Sequence, residues 1–407
     1  MKSEGVNRVK GKLKLSSLKL NTLLEITTAI NNNSSREALF DTLRNVLTQE
    51  LDIGKFVLFT LESSWKIALI EGVNIESAKA VEIDTLIQKF KNIDVLAGKN
   101  ALQQEEFDIV IPVFHKERPL AYLLLADVGE EKLEISPIIK HLRFIQTLAN
   151  IIVVALENKR LNKEYIKQIE VKKELDLAQK MQSLLFPQKL PNNEFIEVKA
   201  FYQPHHEIGG DYYDVIKIDE DRTAFCIADV SGKGISAALL MSNFQANLRA
   251  LLPLAKNLKE VVIQCNQKII EAAHFEKFIT LFIAIYNKKE KSLEYLNAGH
   301  QAAILFSEDK NKQLTKGCTV LGMFDQLPCI DMGIIPINKG DQLYCYTDGL
   351  SELSDDRGNQ IETEGLINLL KEQDISSSVH KIKTLVKRRS ESDTFDDISF
   401  LAVDFRV

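Results

Sequence analysis

Four short acidic motifs carry the chemistry open to this chain. They are Gly209-Gly210-Asp211, Ala228-Asp229-Val230-Ser231-Gly232, Thr347-Asp348-Gly349 and Asp396-Asp397-Ile398-Ser399. Each sets an Asp at the end of an apolar run or in the turn beside it. Three of them have Gly at or near the Asp, which lets backbone approach a ligand closely. Taken singly, such an Asp is most often a turn or cap residue, a role that Asp-Gly and Gly-Asp favour. Taken together, carboxylates from separate strand ends make a site for hard divalent cations such as Mg²⁺ or Mn²⁺. Two such ions about 3.5–4 Å apart can activate a water and neutralise a phosphate during in-line attack.

Other polar residues have weaker claims. His205-His206 precedes Gly209, but neighbouring extended residues diverge, so both cannot ligate one ion. The pair reads as a polar loop. Asp396 and Asp397 diverge for the same reason, so only one of the two is expected to bind metal. His300, in Asn297-Ala298-Gly299-His300, reads as structural support. Ser231-Gly232-Lys233-Gly234 invites a P-loop reading that fails. A P-loop needs Gly six before the Lys and Ser or Thr after it, and here those positions hold Ile227 and Gly234. Lys233 remains able to meet a substrate phosphate electrostatically. Cys226, Cys265, Cys318, Cys329 and Cys345 include no CxxC pair, which argues against zinc. Their odd number argues against a secreted disulfide scaffold.

The bulk properties narrow the class. The 407 residues carry 51 basic and 57 acidic side chains, a net charge of −6, which excludes a strongly basic nucleic-acid binder. At about 150 residues per domain the chain should hold two or three domains. The basic N-terminus lacks the apolar core of a signal peptide, and no apolar stretch is long enough to cross a bilayer. These features predict a cytoplasmic protein with no membrane span.

The elements that must position the acidic residues are legible from periodicity. Residues 195–407 read as an α+β domain. Strands are expected at 196–201, 214–218, 223–228, 278–286, 292–298, 342–346 and 398–405, with helices at 235–252 and 258–273. Upstream, Ser136-Pro137 opens a long helix running to about Leu185, with Pro in the first turn. Its second half is charged, with an apolar stripe through Leu161, Tyr165, Ile169, Leu175, Ala178 and Leu185. That stripe suggests a coiled coil, hence a homodimer, or a helix packed across a domain joint. Pro187 and Pro191 end it. Further upstream, helices at 20–30 and 35–51, with Ser34 or Ser35 as cap, precede strands at 55–61, 66–70, 107–114 and 120–126. Residues 1–19 read as a flexible arm.

The motifs GGDYYD (209–214), ADVSGKGISAALLM (228–241), LNAGH (296–300), YTDGLSE (346–352) and DDISF (396–400) resemble the SpoIIE/RsbU-like branch of PPM-type serine/threonine phosphatases. The resemblance spans about residues 180–405, including a lead-in at 178–191. It implies a β-sandwich of two antiparallel sheets flanked by helices, with a centre of two Mn²⁺ or Mg²⁺ ions, and room for a third. By motif match Asp229 bridges the two metals and the Val230 carbonyl is a further ligand. Asp348 and Asp396 complete the second metal, with Asp397 as the fallback for Asp396. Asp211 acts nearby, through bound water or an additional ion. Water then attacks phosphoserine or phosphothreonine directly. That scheme agrees with the absence of a Cys-x5-Arg motif. Ser236 stands where the family often has Pro, and Ser can cap the helix that follows.

The family further implies a substrate: a phosphorylated STAS-domain anti-anti-sigma factor in a partner-switching pathway. Residues 20–156 resemble a GAF domain in pattern, which implies a small-molecule or protein signal, or a dimerisation module. The expected order is therefore a GAF-like sensor at 20–156, a helical linker at 157–190 and a phosphatase domain at 191–407. The linker is expected to act on the helices at 235–252 and 258–273. Two alternatives compete. One is a catalytically inactive phosphatase-like binding module. The other is a diguanylate cyclase, suggested by Gly-Gly-Asp, but Tyr212-Tyr213 replaces the Glu-Phe of that signature.

Overall fold

The computed structural model describes residues 2–406 except 82, 85–88, 97–106, 127–140, 206, 309, 354–359, 372–373 and 390–395. The chain divides into two compact units, Met1–Ile169 and Glu170–Val407. Ser136 and Pro137 lie outside the described residues.

The N-terminal unit begins with helices α1 (Lys2–Asn31) and α2 (Arg36–Asn45). The arm expected over residues 1–19 is helical from Lys2 onward, since no Pro interrupts a Lys- and Leu-rich stretch. Ser35 caps α2, its hydroxyl accepting the Ala38 amide at 3.1 Å. Strands β1 (Phe56–Leu61) and β2 (Trp65–Glu71), a short helix α3 (Ile75–Lys79), and strands β3 (Asp94–Val95), β4 (Ile109–His115) and β5 (Arg118–Leu125) follow. They form one antiparallel sheet in the order β2-β1-β5-β4-β3. Both faces are covered. Phe56, Leu58, Ile111 and Leu123 join a core with α1, α2 and the start of α4 (Leu142–Ser183). Val57, Phe59, Val110 and Tyr122 fill a second core on the opposite face. This is why FVLF, IVI and YLLL read as unbroken apolar runs: alternate residues enter different cores. Trp65 stands in the second of these, its ring 5.7 Å from that of Tyr122.

The division between units falls within the 42 residues of α4. The C-terminal unit thus starts at Glu170 and takes in part of the segment expected as linker. The physical reason is that the end of α4 and the turn after it enter that unit's core. Phe186 stacks on Tyr202 with ring centroids 4.7 Å apart and touches Tyr213 at 5.1 Å.

The C-terminal unit is a sandwich. One sheet contains β7 (Tyr212–Lys217), β8 (Arg222–Val230), β9 (Ile279–Asn287), β10 (Ser292–Ala298), β13 (Gly317–Cys318) and β14 (Gly333–Pro336). The other contains β6 (Ile196–Gln203), β11 (Ala303–Ser307), β12 (Lys310–Leu314), β15 (Gln342–Tyr346) and β16 (Ile398–Phe405), in the order β12-β11-β15-β16-β6. Every pairing is antiparallel except β10 with β13. Leu343, Cys345, Leu401, Val403 and Phe405 point into the core shared with the first sheet. Tyr344, Tyr346, Phe400 and Ala402 alternate with them. They pack instead against α8 (Glu362–Leu370) and α9 (Ile375–Arg389). On the outside of the first sheet lie α5 (Ile235–Leu251) and α6 (Leu258–Ala273). The α+β class and the helix-flanked sandwich thus match the sequence expectation. A four-residue helix, α7 (Asp348–Ser351), follows β15.

Candidate metal centre

Strand register brings the four motifs to one end of the sandwich. Tyr212 pairs with Ala228, so Asp211 and Asp229 are neighbours where β7 begins and β8 ends. Tyr346 pairs with Phe400, so Thr347-Asp348 meets Asp396–Ser399 where β15 ends and β16 begins. Phe225 meets Phe405 across the sandwich at 6.4 Å. Asp229 shares the parity of Phe225 along β8 and so faces the opposite sheet. Thr347 ties the sheets together: its hydroxyl donates to Asp211 Oδ2 at 2.8 Å and accepts the Ser399 amide at 2.9 Å.

Asp397 is held by backbone. Its Oδ1 accepts the His205 amide at 2.8 Å and its Oδ2 the Gly210 amide at 2.6 Å. The paired glycines make this possible. A Cβ at Gly209 would overlap Tyr202 Oη and the Asp397 carboxylate, and one at Gly210 would press on the Val230 carbonyl. Gly349 is constrained likewise, because its Cβ would strike the Asp397 carbonyl. Asp396 points elsewhere. Its Oδ1 accepts the Asp397 amide, and its Oδ2 lies 2.8 Å from Lys233 Nζ.

The charges are short of cations. Asp211 is 1 % exposed, and burial, then the charges of Asp229 and Asp397, hold its carboxyl well above the usual range. Burial, then Asp348, Asp396 and Asp397, pushes Asp229 up to about 7. Asp348 is raised by burial and then by Asp396. Such mutual repulsion is what a bound divalent ion relieves. Among the described residues, no group of three or more His, Cys, Asp or Glu side chains is closed to metal-coordinating geometry. The donor chemistry nonetheless suits a hard cation: carboxylates from four motifs neighbour one another, the Val230 carbonyl adjoins Asp229 and Gly210, and the Lys233 ammonium stands in as counter-charge.

Asp211, Asp229, Asp348, Asp396 and Asp397 are therefore brought together, with Val230 beside them. His206 lies outside the described residues, and His205 contributes its backbone amide. His300 Nδ1 meets Thr280 Oγ1 at 2.7 Å, beside Asp229 in the register, and burial lowers its pKa to about 4. Asn297 grips the His300 backbone at both its amide and its carbonyl. Four participants escape sequence reasoning. Thr347 and Glu352 sit within the YTDGLSE motif, which is the signal that could find them. Glu352 is raised by burial and by Asp348 and Asp396. Tyr202 and Gln182 carry no local signal. Gln182 is buried, donating to the Gly209 carbonyl at 2.7 Å and accepting the Gly209 amide at 3.2 Å.

The family described as Stage II sporulation protein E (SpoIIE) matches residues 219–406. Asp229, Val230, Asp348, Asp396 and Asp397 lie inside the SpoIIE span, and Asp211 lies just before it. Phosphoserine phosphatase RsbU of Bacillus subtilis (strain 168) is 30% identical over 228 residues, covering 54% of this chain and 65% of that protein. Phosphoserine phosphatase RsbP of the same organism is 29% identical over 252 residues, covering 59% of each. The chain spans less than two thirds of the length of these curated relatives. The solved SiaA-PP2C domain of Pseudomonas aeruginosa aligns with a TM-score of 0.51 at 18% identity, over 59% of this chain and 98% of that one. That likeness is one of fold alone.

Proposed function

We propose that this protein is a metal-dependent protein serine/threonine phosphatase. The observation that carries the reading is the convergence of five Asp side chains, from four motifs, at one end of a SpoIIE-family sandwich. Asp229 would serve both ions, the Val230 carbonyl would be a further ligand, Asp348 and Asp396 would complete the second site, and Asp211 would act through a bound water or a further ion. Mn²⁺ or Mg²⁺ bound there would polarise the phosphoryl oxygens and acidify an attacking water. The chain's own residues fix the cradle. Thr347 orients Asp211, and the His205 and Gly210 amides hold Asp397, which leaves Asp396, paired with Lys233, as the carboxylate that would serve the ions.

The substrate in this reading is a phosphorylated STAS-domain anti-anti-sigma factor in a partner-switching pathway, as suggested by the likeness to RsbU and RsbP. The N-terminal unit would be a GAF-like sensor for a small molecule or protein signal. The chain would act as a homodimer through α4, where Leu161, Tyr165, Ile166, Val171, Leu177 and Met181 are exposed. No helix among the described residues is long and apolar enough to cross a membrane.

The test is phosphate release from p-nitrophenyl phosphate and from a phosphoserine protein, with Mn²⁺ and with chelator. Activity that needs Mn²⁺ and is lost in Asp348→Asn, with the fold intact by circular dichroism, is expected. No activity with any metal, in the full chain or in residues 170–407, would instead make the unit a phosphatase-like binding module.

A further inference from the structure

Lys233 is placed by two glycines in unusual backbone. It sits between Gly232 (φ 84°) and Gly234 (φ 74°), in the four-residue link from β8 to α5. Its ammonium lies 2.8 Å from Asp396 Oδ2, with side chains 49% and 37% exposed. This is its one ion pair among the described residues. Asp229, Asp348 and Glu352 also feel its positive charge. Asp396 belongs to the metal set of the phosphatase reading, on which the following inference rests.

A lysine ammonium is a compact, strongly hydrated point charge on a flexible four-carbon stem. It can neutralise a carboxylate cluster, yet it leaves readily when a stronger charge arrives, because an exposed ion pair is worth only about 0–1 kcal/mol. A divalent cation and the ammonium cannot both occupy the open lone pairs of Asp396 Oδ2. The displaced ammonium stays tethered within reach of whatever anion the metal ions bind.

We propose that Lys233 is a resident counter-ion that a divalent metal displaces from Asp396 and that then engages the phosphate of the substrate. Two roles follow for one side chain. Before metal binding it shields the acidic cluster and sets a threshold for occupancy. After metal binding it is a positioning residue for the phosphoryl oxygens.

The experiment uses the full chain and titrates Mn²⁺ calorimetrically into wild type, Lys233→Met and Lys233→Arg. Mn²⁺ should bind Lys233→Met about fivefold more tightly, the equivalent of about 1 kcal/mol. In saturating Mn²⁺, inorganic phosphate should bind the same variant about fivefold more weakly, and Lys233→Arg should restore phosphate binding. In chelator, Lys233→Met should melt below wild type, and Mn²⁺ should close the gap. A merely structural lysine would not produce a deficit that metal repairs. Unchanged or weaker Mn²⁺ binding in Lys233→Met overturns the proposal. Tighter Mn²⁺ binding with unaltered phosphate binding overturns its second half. Failure of wild type to bind Mn²⁺ overturns the metal reading itself, and the proposal with it.

Discussion

Gly209 and Gly234 both border the carboxylate cluster, but different constraints hold them. Gly209 has no room for a Cβ, since Tyr202 and the Asp397 carboxylate already occupy that space. Gly234 has open space around it but a backbone, φ 74° and ψ −153°, that is nearly closed to other residues. Gly209→Ala and Gly234→Ala should each cost about 1–3 kcal/mol of stability, by overpacking and by backbone strain respectively. Only Gly209→Ala should push Asp397 off its two amides. Below both melting transitions its metal-dependent rate should therefore fall at least tenfold further than that of Gly234→Ala. Equal rates in the two variants would mean that the Asp397 anchor does not matter. His300 supplies the pH test. Burial lowers its pKa to about 4 from an ordinary 6.5, so over that window the unfolded chain binds a proton that the folded chain refuses. Stability should then fall as pH drops from about 6.5 toward 4. His300→Asn should flatten that part of the profile, read as urea midpoints in chelator at neutral and mildly acidic pH.

At the scale of elements, the end of α4 is fastened to the glycine loop by Gln182, which meets both backbone groups of Gly209. On the next turn of chain, Gln245 of α5 reaches the Leu185 carbonyl at 3.4 Å. Gln182→Ala would leave a buried amide and a buried carbonyl unmet, at a cost of about 1–3 kcal/mol. The expected outcome is a lower thermal midpoint together with a reduced kcat and little change in KM. An unchanged kcat would separate this contact from the site. Much of this architecture was legible beforehand. The strands that carry the Asp residues are apolar and sharply bounded, and the register of β7 with β8 follows from a short turn, whereas β15 and β16 are joined through α7, α8 and α9. Strand β12, Lys310–Leu314, was not legible. It is KNKQL on a sheet edge, exposed at four of its five positions, so no apolar alternation marks it. Helix α9 does carry a signal, Ile375, Val379, Ile382 and Val386 at helical spacing, which a reading centred on acidic motifs passes over. The division of labour between Asp396 and Asp397 was out of reach for another reason. Adjacency shows that the two diverge, but what captures Asp397 is the backbone of Gly210, 187 residues away in sequence.

At the scale of the whole chain, the described residues of each unit form apolar cores of their own. Residues 170–407 should therefore fold alone and melt in a single cooperative transition followed by far-ultraviolet circular dichroism. A molten, dye-binding product would contradict this. Deletion of residues 1–155 then tests control. A changed kcat would support a regulatory role for the N-terminal unit, and identical basal and stimulated rates would remove it. The means to watch that unit is already built in. Trp65, packed on Tyr122 in one of its cores, is the only tryptophan of the 407 residues. Its emission is thus an optical channel that originates in the N-terminal unit and responds to whatever enters or reshapes the sheet around β2. A library of metabolites can be screened by colour shift alone, on the intact chain, with no label and no substrate in hand.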